Sequence, residues 1–404
     1  MKALKLALAV ALVAALPAVA AAGPARSERT GYIVVLKDSA SPRAVSSDHA
    51  QRFGADVSHV YRHALKGYAA QMSATAAARI ADDARVDFVQ KDGVATTMAQ
   101  STPTGIDRVD AELSPTARIN GVDERVNVDV AIIDTGIDLD HPDLNVYTAG
   151  ARNCSTGTSA EDGNGHGTHV AGTVAALDNS IGVVGVAPGA RVWPVRVLSN
   201  SGSGSWADVI CGVDFVTANA SSIEVANMSL GGTGSDDGNC GNTNGDALHR
   251  AICRSVAAGV TYAVAAGNSS ADSRGHVPAS YDEVITVSAL ADFNGLPGGG
   301  AAATCRADVD DTFADFSNYG ADVDLIAPGV CINSTWKGGA YNTISGTSMA
   351  SPHVAGGAAL YKANNPSASP ATVKSALQAA GTLDWNNVDD RDGTKERLLR
   401  VATF

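Results

Sequence analysis

The sequence predicts an α/β protein: a three-layer domain on a mainly parallel sheet, preceded by a small α+β module. Three observations carry this reading. From about Asn127 onward, short apolar, β-branched runs alternate with helical stretches, the pattern of a parallel sheet covered on both faces. Hydrophobic residues make up 45% of the chain but aromatics only 5%, with 42 glycines, which suits close packing of small side chains. At 404 residues the chain is long enough for two or three domains and a real core, and no repeat period is visible.

Taken in order, the chain opens on Met1-Lys2-Ala3-Leu4-Lys5, an apolar run from Leu6 to Leu16, and small residues to Ala22. That is the order of a secretory signal over residues 1–22. The run is shorter than the ~20 apolar residues a membrane span needs, and no later stretch approaches that length. After a Pro/Arg/Ser linker, a strand is expected at 32–36, a helix at 45–53, strands at 57–61 and 67–72, a helix at 74–82 and a strand at 86–90. Residues 31–98 thus form one module, with 93–98 as a flexible lead into a larger domain, 99–404. There, strands are expected at 128–133, 191–197, 225–229, 260–265, 284–288 and 323–326.

Charge divides the chain unevenly. Residues 1–98 hold 12 Lys and Arg against 8 Asp and Glu, leaving 17 against 34 from residue 99 onward. The larger domain is acidic and lacks the basic footprint of a nucleic-acid or anionic-membrane binder. All six cysteines lie in it, and an even number behind an export signal implies disulfides. Several connectivities are open; the expected set is sequential, Cys154–Cys211, Cys240–Cys253 and Cys305–Cys331. None has the doubled C-x-x-C spacing of a zinc site.

In an open parallel sheet, ligands sit beyond the carboxyl ends of the strands, so residues there are read for chemistry first. Asp134-Thr135-Gly136 ends the 128–133 strand; taken alone, such an acid is a turn or cap residue. The glycine-rich Asp162-Gly163-Asn164-Gly165 leads into His166-Gly167-Thr168-His169-Val170-Ala171-Gly172, a helix start. Two histidines at i, i+3 invite a metal reading, but no glutamate lies between them as zincin chemistry requires. Ser345-Gly346-Thr347-Ser348-Met349-Ala350-Ser351-Pro352 reads as a glycine turn meeting a helix whose first turn carries a proline. A serine there is ordinarily a cap, yet a helix amino terminus also offers N–H groups and a positive dipole end to a developing oxyanion. Val264-Ala265-Ala266-Gly267-Asn268 ends another strand with an amide donor.

Together these four segments resemble the subtilisin-like serine proteases. The three around Asp134, His166 and Ser348 are similar to that family's active-site signatures, in its Asp, His, Ser chain order, and the resemblance runs from about Ala99 to the end. It implies a subtilisin-like catalytic domain and a secreted serine endopeptidase working through an acyl-enzyme. In that reading Ser348 attacks the peptide carbonyl, His166 rather than His169 is the base, and Asp134 fixes the imidazole tautomer. The Asn268 side chain and the Ser348 N–H hold the oxyanion, while His169 and His353 are packed helix residues. Ser201-Gly202-Ser203-Gly204 and Ser229-Leu230-Gly231-Gly232 look like the edges between which a peptide adds as a strand. Leu230, Ala265, Ala266 and Gly267 wall the primary pocket, whose floor near Gly275-His276-Val277 departs from the family in length.

The same resemblance implies structural calcium held by Gln100, Asp143, Leu177, Asn179, Ile181 and Val183. The insert from Ser235 to Asn242 could hold a second ion, but reads more simply as a solvated turn fixed by a disulfide. The amino-terminal module is similar to the family's inhibitor-type propeptides in Tyr32-Ile33-Val34-Val35-Leu36-Lys37-Asp38 and Val86-Asp87-Phe88-Val89-Gln90-Lys91-Asp92-Gly93. That implies an autoprocessed zymogen whose own propeptide is chaperone and inhibitor, and Ala99-Gln100-Ser101 looks like a mature start after cleavage of Met98–Ala99. The expected partners are protein and peptide substrates, with no nucleic acid or membrane, for a monomer. Rival readings are a catalytically silent, peptide-binding relative and a metal-dependent hydrolase.

Overall fold

The computed structural model of the chain describes residues 29–93 and 99–404. The signal expected over 1–22 lies outside the described residues, as does Met98 of the expected cleavage site. Two compact units divide near residue 98.

The first unit is a four-stranded antiparallel sheet in the order Asp56–Tyr61, Gly67–Met72, Thr30–Leu36, Val86–Lys91, with helices Pro42–Phe53 and Ala74–Ala81. Alternation explains its core. Val34 and Leu36 on the central strand, with Tyr68, Ala70 and Met72 beside them, turn to one face and bury Val45 and Ile80 from the two helices. Pro42 lies in the first turn of its helix, where its missing N–H costs nothing, so that helix starts earlier than the apolar pattern indicates.

The second unit is built on a sheet whose parallel strands run in the order Arg152–Asn153, Arg191–Arg196, Asp129–Asp134, Val225–Met228, Thr261–Ala265 and Ile285–Ala291. Leu325–Pro328 pairs parallel, and Thr312–Phe313 antiparallel, with Ile285–Ala291. Side-chain alternation on the central strand creates the three layers. Val130 and Ile132 join the core under helices His166–Ala175 and Thr347–Asn364; Ala131 and Ile133 join the core under Trp206–Ala218 and Ala247–Ala257. Each large apolar side chain buried this way is worth about 1.5–3 kcal/mol.

Pro194 sits inside Arg191–Arg196, where a ladder position would ordinarily exclude it. Val192 exchanges hydrogen bonds outward with Asn145 and Tyr147, and the Arg196 carbonyl accepts outward from Cys154. Pro194 shares their parity, so its missing N–H faces the gap between those contacts. All three cysteine pairs form as expected: Cys154–Cys211, Cys240–Cys253 and Cys305–Cys331.

One sequence expectation is corrected. The helix bearing Ser348 begins at Thr347, so Pro352 lies beyond the first turn, inside the helix. It is tolerated because the acceptor it abandons, the Ser348 carbonyl four residues back, receives the Ser229 hydroxyl at 2.8 Å instead.

Candidate active site

The chain crosses from one side of the Asp129–Asp134 strand to the other after Arg191–Arg196, which makes the carboxyl end of that strand a topological switch point. Asp134 is its last residue and is fully buried. One of its oxygens accepts from the Thr135 N–H at 2.7 Å, and the two together face Nδ1 of His166 at 2.8 and 3.0 Å. A carboxylate can only accept, so Nδ1 carries the proton and Nε2 keeps its lone pair. Burial opposes charging the ring, but the Asp134 charge and hydrogen bond outweigh it and hold the His166 pKa above its ordinary value.

His166 opens the helix His166–Ala175, and the turn before it is tied down by Asp162. This carboxylate is 2% exposed. It accepts from the Thr135 hydroxyl at 2.8 Å, the Asn164 and Gly165 amides at 3.0 and 2.8 Å, and the Thr168 amide and hydroxyl at 2.9 and 2.6 Å. Sequence reasoning passed over Asp162. Its signal was the acid before Gly163-Asn164-Gly165, where short polar residues bond the following backbone. Gly165 adopts φ +114°, and a Cβ there would meet the Trp336 ring at 2.3 Å. At Gly167 a Cβ would lie 2.1 Å from the Gly136 carbonyl, so the helix closes on the Asp134 turn only through this glycine.

Ser348 stands in the first turn of Thr347–Asn364, and among the described residues its backbone N–H has no acceptor, as expected at a helix start. Asn268 lies beside it. Its Oδ1 accepts from the Thr347 amide at 2.8 Å and the Thr347 hydroxyl at 2.9 Å, which assigns the amide orientation and leaves Nδ2 as the free donor. The Ser348 hydroxyl donates to the Ser229 carbonyl at 3.3 Å, and no hydrogen bond joins it to His166. The expected row of three linked groups is therefore made between carboxylate and imidazole and open between imidazole and alcohol. A serine rotor turns to the acceptor at hand when no substrate orders it, and such contacts tighten on binding.

His166, Asn268 and Ser348 line one cleft of about 1020 Å³. Gly202, Ser203, Gly204, Ser229, Leu230, Gly231, Ala265, Ala266 and Gly267 line it too, as do His276 and Val277. Trp206, Thr233 and Ala279 also line it, none of them singled out from the sequence. Neither 201–204 nor 229–231 belongs to a strand, so their backbone groups are not committed to a ladder there. The other two histidines of the motifs, His169 and His353, make contacts of a packed helix. His169 Nε2 bonds the Ile332 and Asn342 carbonyls at 2.9 and 3.1 Å, and burial pushes its pKa down to about 3. His353 Nδ1 bonds the Met349 carbonyl, and burial lowers it to about 4. With Nε2 donating to carbonyls, His169 offers no metal ligand there.

The six oxygen-bearing residues expected around calcium also come together. Asp143, fully buried, accepts from Asn179 Nδ2 at 2.7 Å, the Val183 amide at 3.0 Å and the Tyr341 hydroxyl at 3.1 Å. Gln100 reaches Asp178 and the Asn179 amide. Among the described residues the carbonyls of Leu177, Ile181 and Val183 receive no hydrogen bond. Oxygen-only ligands with three carbonyls left over fit a hard cation. Asn179 turns its nitrogen to Asp143 because its Oδ1 accepts from the Ile181 amide at 2.7 Å.

The subtilase family profile matches residues 126–395, and that of the peptidase inhibitor I9 family matches 31–98. Subtilisin NAT of Bacillus subtilis subsp. natto is 37% identical over 372 residues, 91% of this chain and 89% of that protein. An alkaline protease of Alkalihalobacillus alcalophilus is 41% identical over 300 residues, 74% of this chain and 70% of that protein. A solved cold-adapted subtilisin-like serine proteinase superposes with TM-score 0.58 at 36% identity, over 76% of this chain and 99% of that one.

Proposed function

Because this chain belongs to the subtilase family, and is a serine endopeptidase made as a zymogen with an inhibitor-type propeptide, we propose that Asp134, His166 and Ser348 are its triad and Asn268 its oxyanion donor. The single observation that carries this is the buried Asp134 carboxylate on His166 Nδ1, which leaves the Nε2 lone pair as the base in a cleft that Ser348 also lines. His166 takes the Ser348 proton as the oxygen attacks the peptide carbonyl, and Asp134 stabilises the imidazolium that forms. Charge on the carbonyl oxygen is met by the Asn268 Nδ2 and the Ser348 N–H at the helix start, donors fixed before the substrate arrives. His166 then gives the proton to the leaving amine, and water repeats the sequence on the acyl-enzyme.

Substrate binds as an extended strand between 202–204 and 229–231, which main-chain pairing makes tolerant of sequence. Leu230, Ala265, Ala266 and Gly267 wall an apolar pocket for the residue before the scissile bond. Residues 31–98 are the propeptide and 99–404 the mature enzyme, separated by self-cleavage at Met98–Ala99. The enzyme is exported by the 1–22 signal and acts extracellularly as a monomer; no helix among the described residues is long and apolar enough to cross a membrane. Gln100, Asp143, Leu177, Asn179, Ile181 and Val183 would hold calcium, which would supply charge that rigidifies the 177–183 loop and would take no part in the chemistry.

A fluorogenic peptide assay tests this reading. Wild-type enzyme should hydrolyse the peptide, and Ser348→Ala should leave turnover near background. Equal turnover by both would refute Ser348 as nucleophile, and no turnover by either would favour a silent, peptide-binding relative.

A further inference from the structure

The loop before the carboxyl terminus carries acids that the peptidase chemistry does not use. Asp390 and Glu396 are only 8% and 6% exposed. All four of their carboxylate oxygens are buried and make no hydrogen bond of normal geometry among the described residues, and the nearby Arg391 and Asp392 amides only partly offset the burial of Asp390. One oxygen from each of Asp390, Asp392 and Glu396 lies within 4.8 Å of the other two. Asn387, in the same loop, sends Nδ2 to the Gly393 carbonyl at 3.3 Å and leaves its buried Oδ1 without a donor. The loop's own cations are turned elsewhere: Arg391 bonds the Ser270 carbonyl at 3.1 Å, and Lys395 lies over the Trp385 ring.

Burying carboxylates with neither donors nor a counter-charge costs several kcal/mol per group by the usual reckoning, and folded proteins do not leave it unpaid. Burial, and then the neighbouring acids, push the Glu396 pKa up to about 8 and that of Asp390 to about 6. Among the described residues no side chain donates to the Asp390 and Glu396 oxygens, and the loop offers the oxygens of three acids and, within the same segment, an unpaired amide oxygen. That set excludes the nitrogen and sulfur preferences of zinc and suits a hard divalent ion.

We propose that Asp390, Asp392 and Glu396, joined by the Asn387 oxygen, form a second cation site of calcium type, separate in position and ligands from the Gln100 and Asp143 set. Its place gives it a structural task. Thr382 and Leu398 exchange backbone hydrogen bonds, both at 2.9 Å, and close the segment that contains the site. Leu399 then bonds Ile326 of the sheet, and the Trp385 indole donates to the Glu396 carbonyl at 2.9 Å. An ion gripping 387–396 fixes the path by which the final residues reach the core.

The Trp385 contact also supplies the probe. Full-length protein carrying Ser348→Ala, to prevent self-digestion, is stripped with chelator and titrated with terbium under tryptophan excitation, then with calcium by calorimetry. Sensitised terbium emission should appear, calcium should quench it, and Asp143→Asn should leave it in place. Adding Asp392→Asn, an exposed position where folding is not at stake, should abolish it and remove one bound calcium per chain, and Glu396→Gln should do the same. If the Asp392→Asn chain, shown folded by circular dichroism, keeps its parent's emission and calcium stoichiometry, the site does not exist.

Discussion

At the residue scale, everything turns on how His166 is held. Its pKa is raised because Asp134 outweighs burial, so the base becomes competent only as pH rises through that elevated value. The same contact stabilises the fold below the ordinary histidine value, and that contribution is lost as pH rises through the higher folded value. Asp134→Asn removes the opposing charge and leaves burial, which lowers the pKa. We therefore expect the acid limb of the kcat/KM profile to move to lower pH, with kcat down by about 10⁴ because the amide no longer selects the productive tautomer. An unmoved limb would mean that Asp134 does not set the charge of this ring. Asp134, His166, Ser348 and Asn268 were legible because each sits in a motif at a strand end or helix start. Asp162 was not: its five donors come from Thr135, Asn164, Gly165 and Thr168, and only folding shows that they converge. The Ser348 carbonyl, freed by Pro352 and taken by Ser229, was hidden for the same reason.

Among the elements, the six strands expected in the larger domain all form, because β-branched apolar runs buried on both faces leave the chain little alternative. Their ends were less legible. Ile285–Ala291 continues past Ser288 because Ala289, Leu290 and Ala291 are all buried, pairing with Leu325–Pro328 and Thr312–Phe313. Proximity of strand and helix at the site depends on Gly167. A methyl group there would meet the Gly136 carbonyl at 2.1 Å and the Asp134 Cβ at 3.1 Å, both parts of the turn it packs on. Gly167→Ala should therefore cost about 1–3 kcal/mol of stability as an overpacked contact and depress kcat more than KM. Thermal unfolding and steady-state kinetics would check this, and a variant of unchanged stability would show that helix and strand are not in close contact.

For the whole molecule, two units with separate cores agree with a zymogen, since the 29–93 unit packs Val34, Tyr68, Met72 and Ile80 without help from the rest. An acidic domain of small, buried side chains is tied by three disulfides, and their spans differ. Cys154–Cys211 closes a 57-residue separation and Cys240–Cys253 one of 13. Replacing the first pair by alanine should cost about 2–4 kcal/mol and more than replacing the second, since the unfolded chain regains a longer loop. Denaturant unfolding reads the order, and a reversal would contradict it. The acidic loop at 387–396 shows what the sequence hides at this scale, because orphaned oxygens become visible only once burial is known. The most direct measurement of all treats the native enzyme with a phosphonate serine reagent and locates the adduct by peptide mass spectrometry. We expect a single modification, on Ser348, that His166→Ala prevents and that removes peptidase activity in proportion to labelling. A fully active enzyme after treatment, or an adduct on any other serine, would contradict the triad.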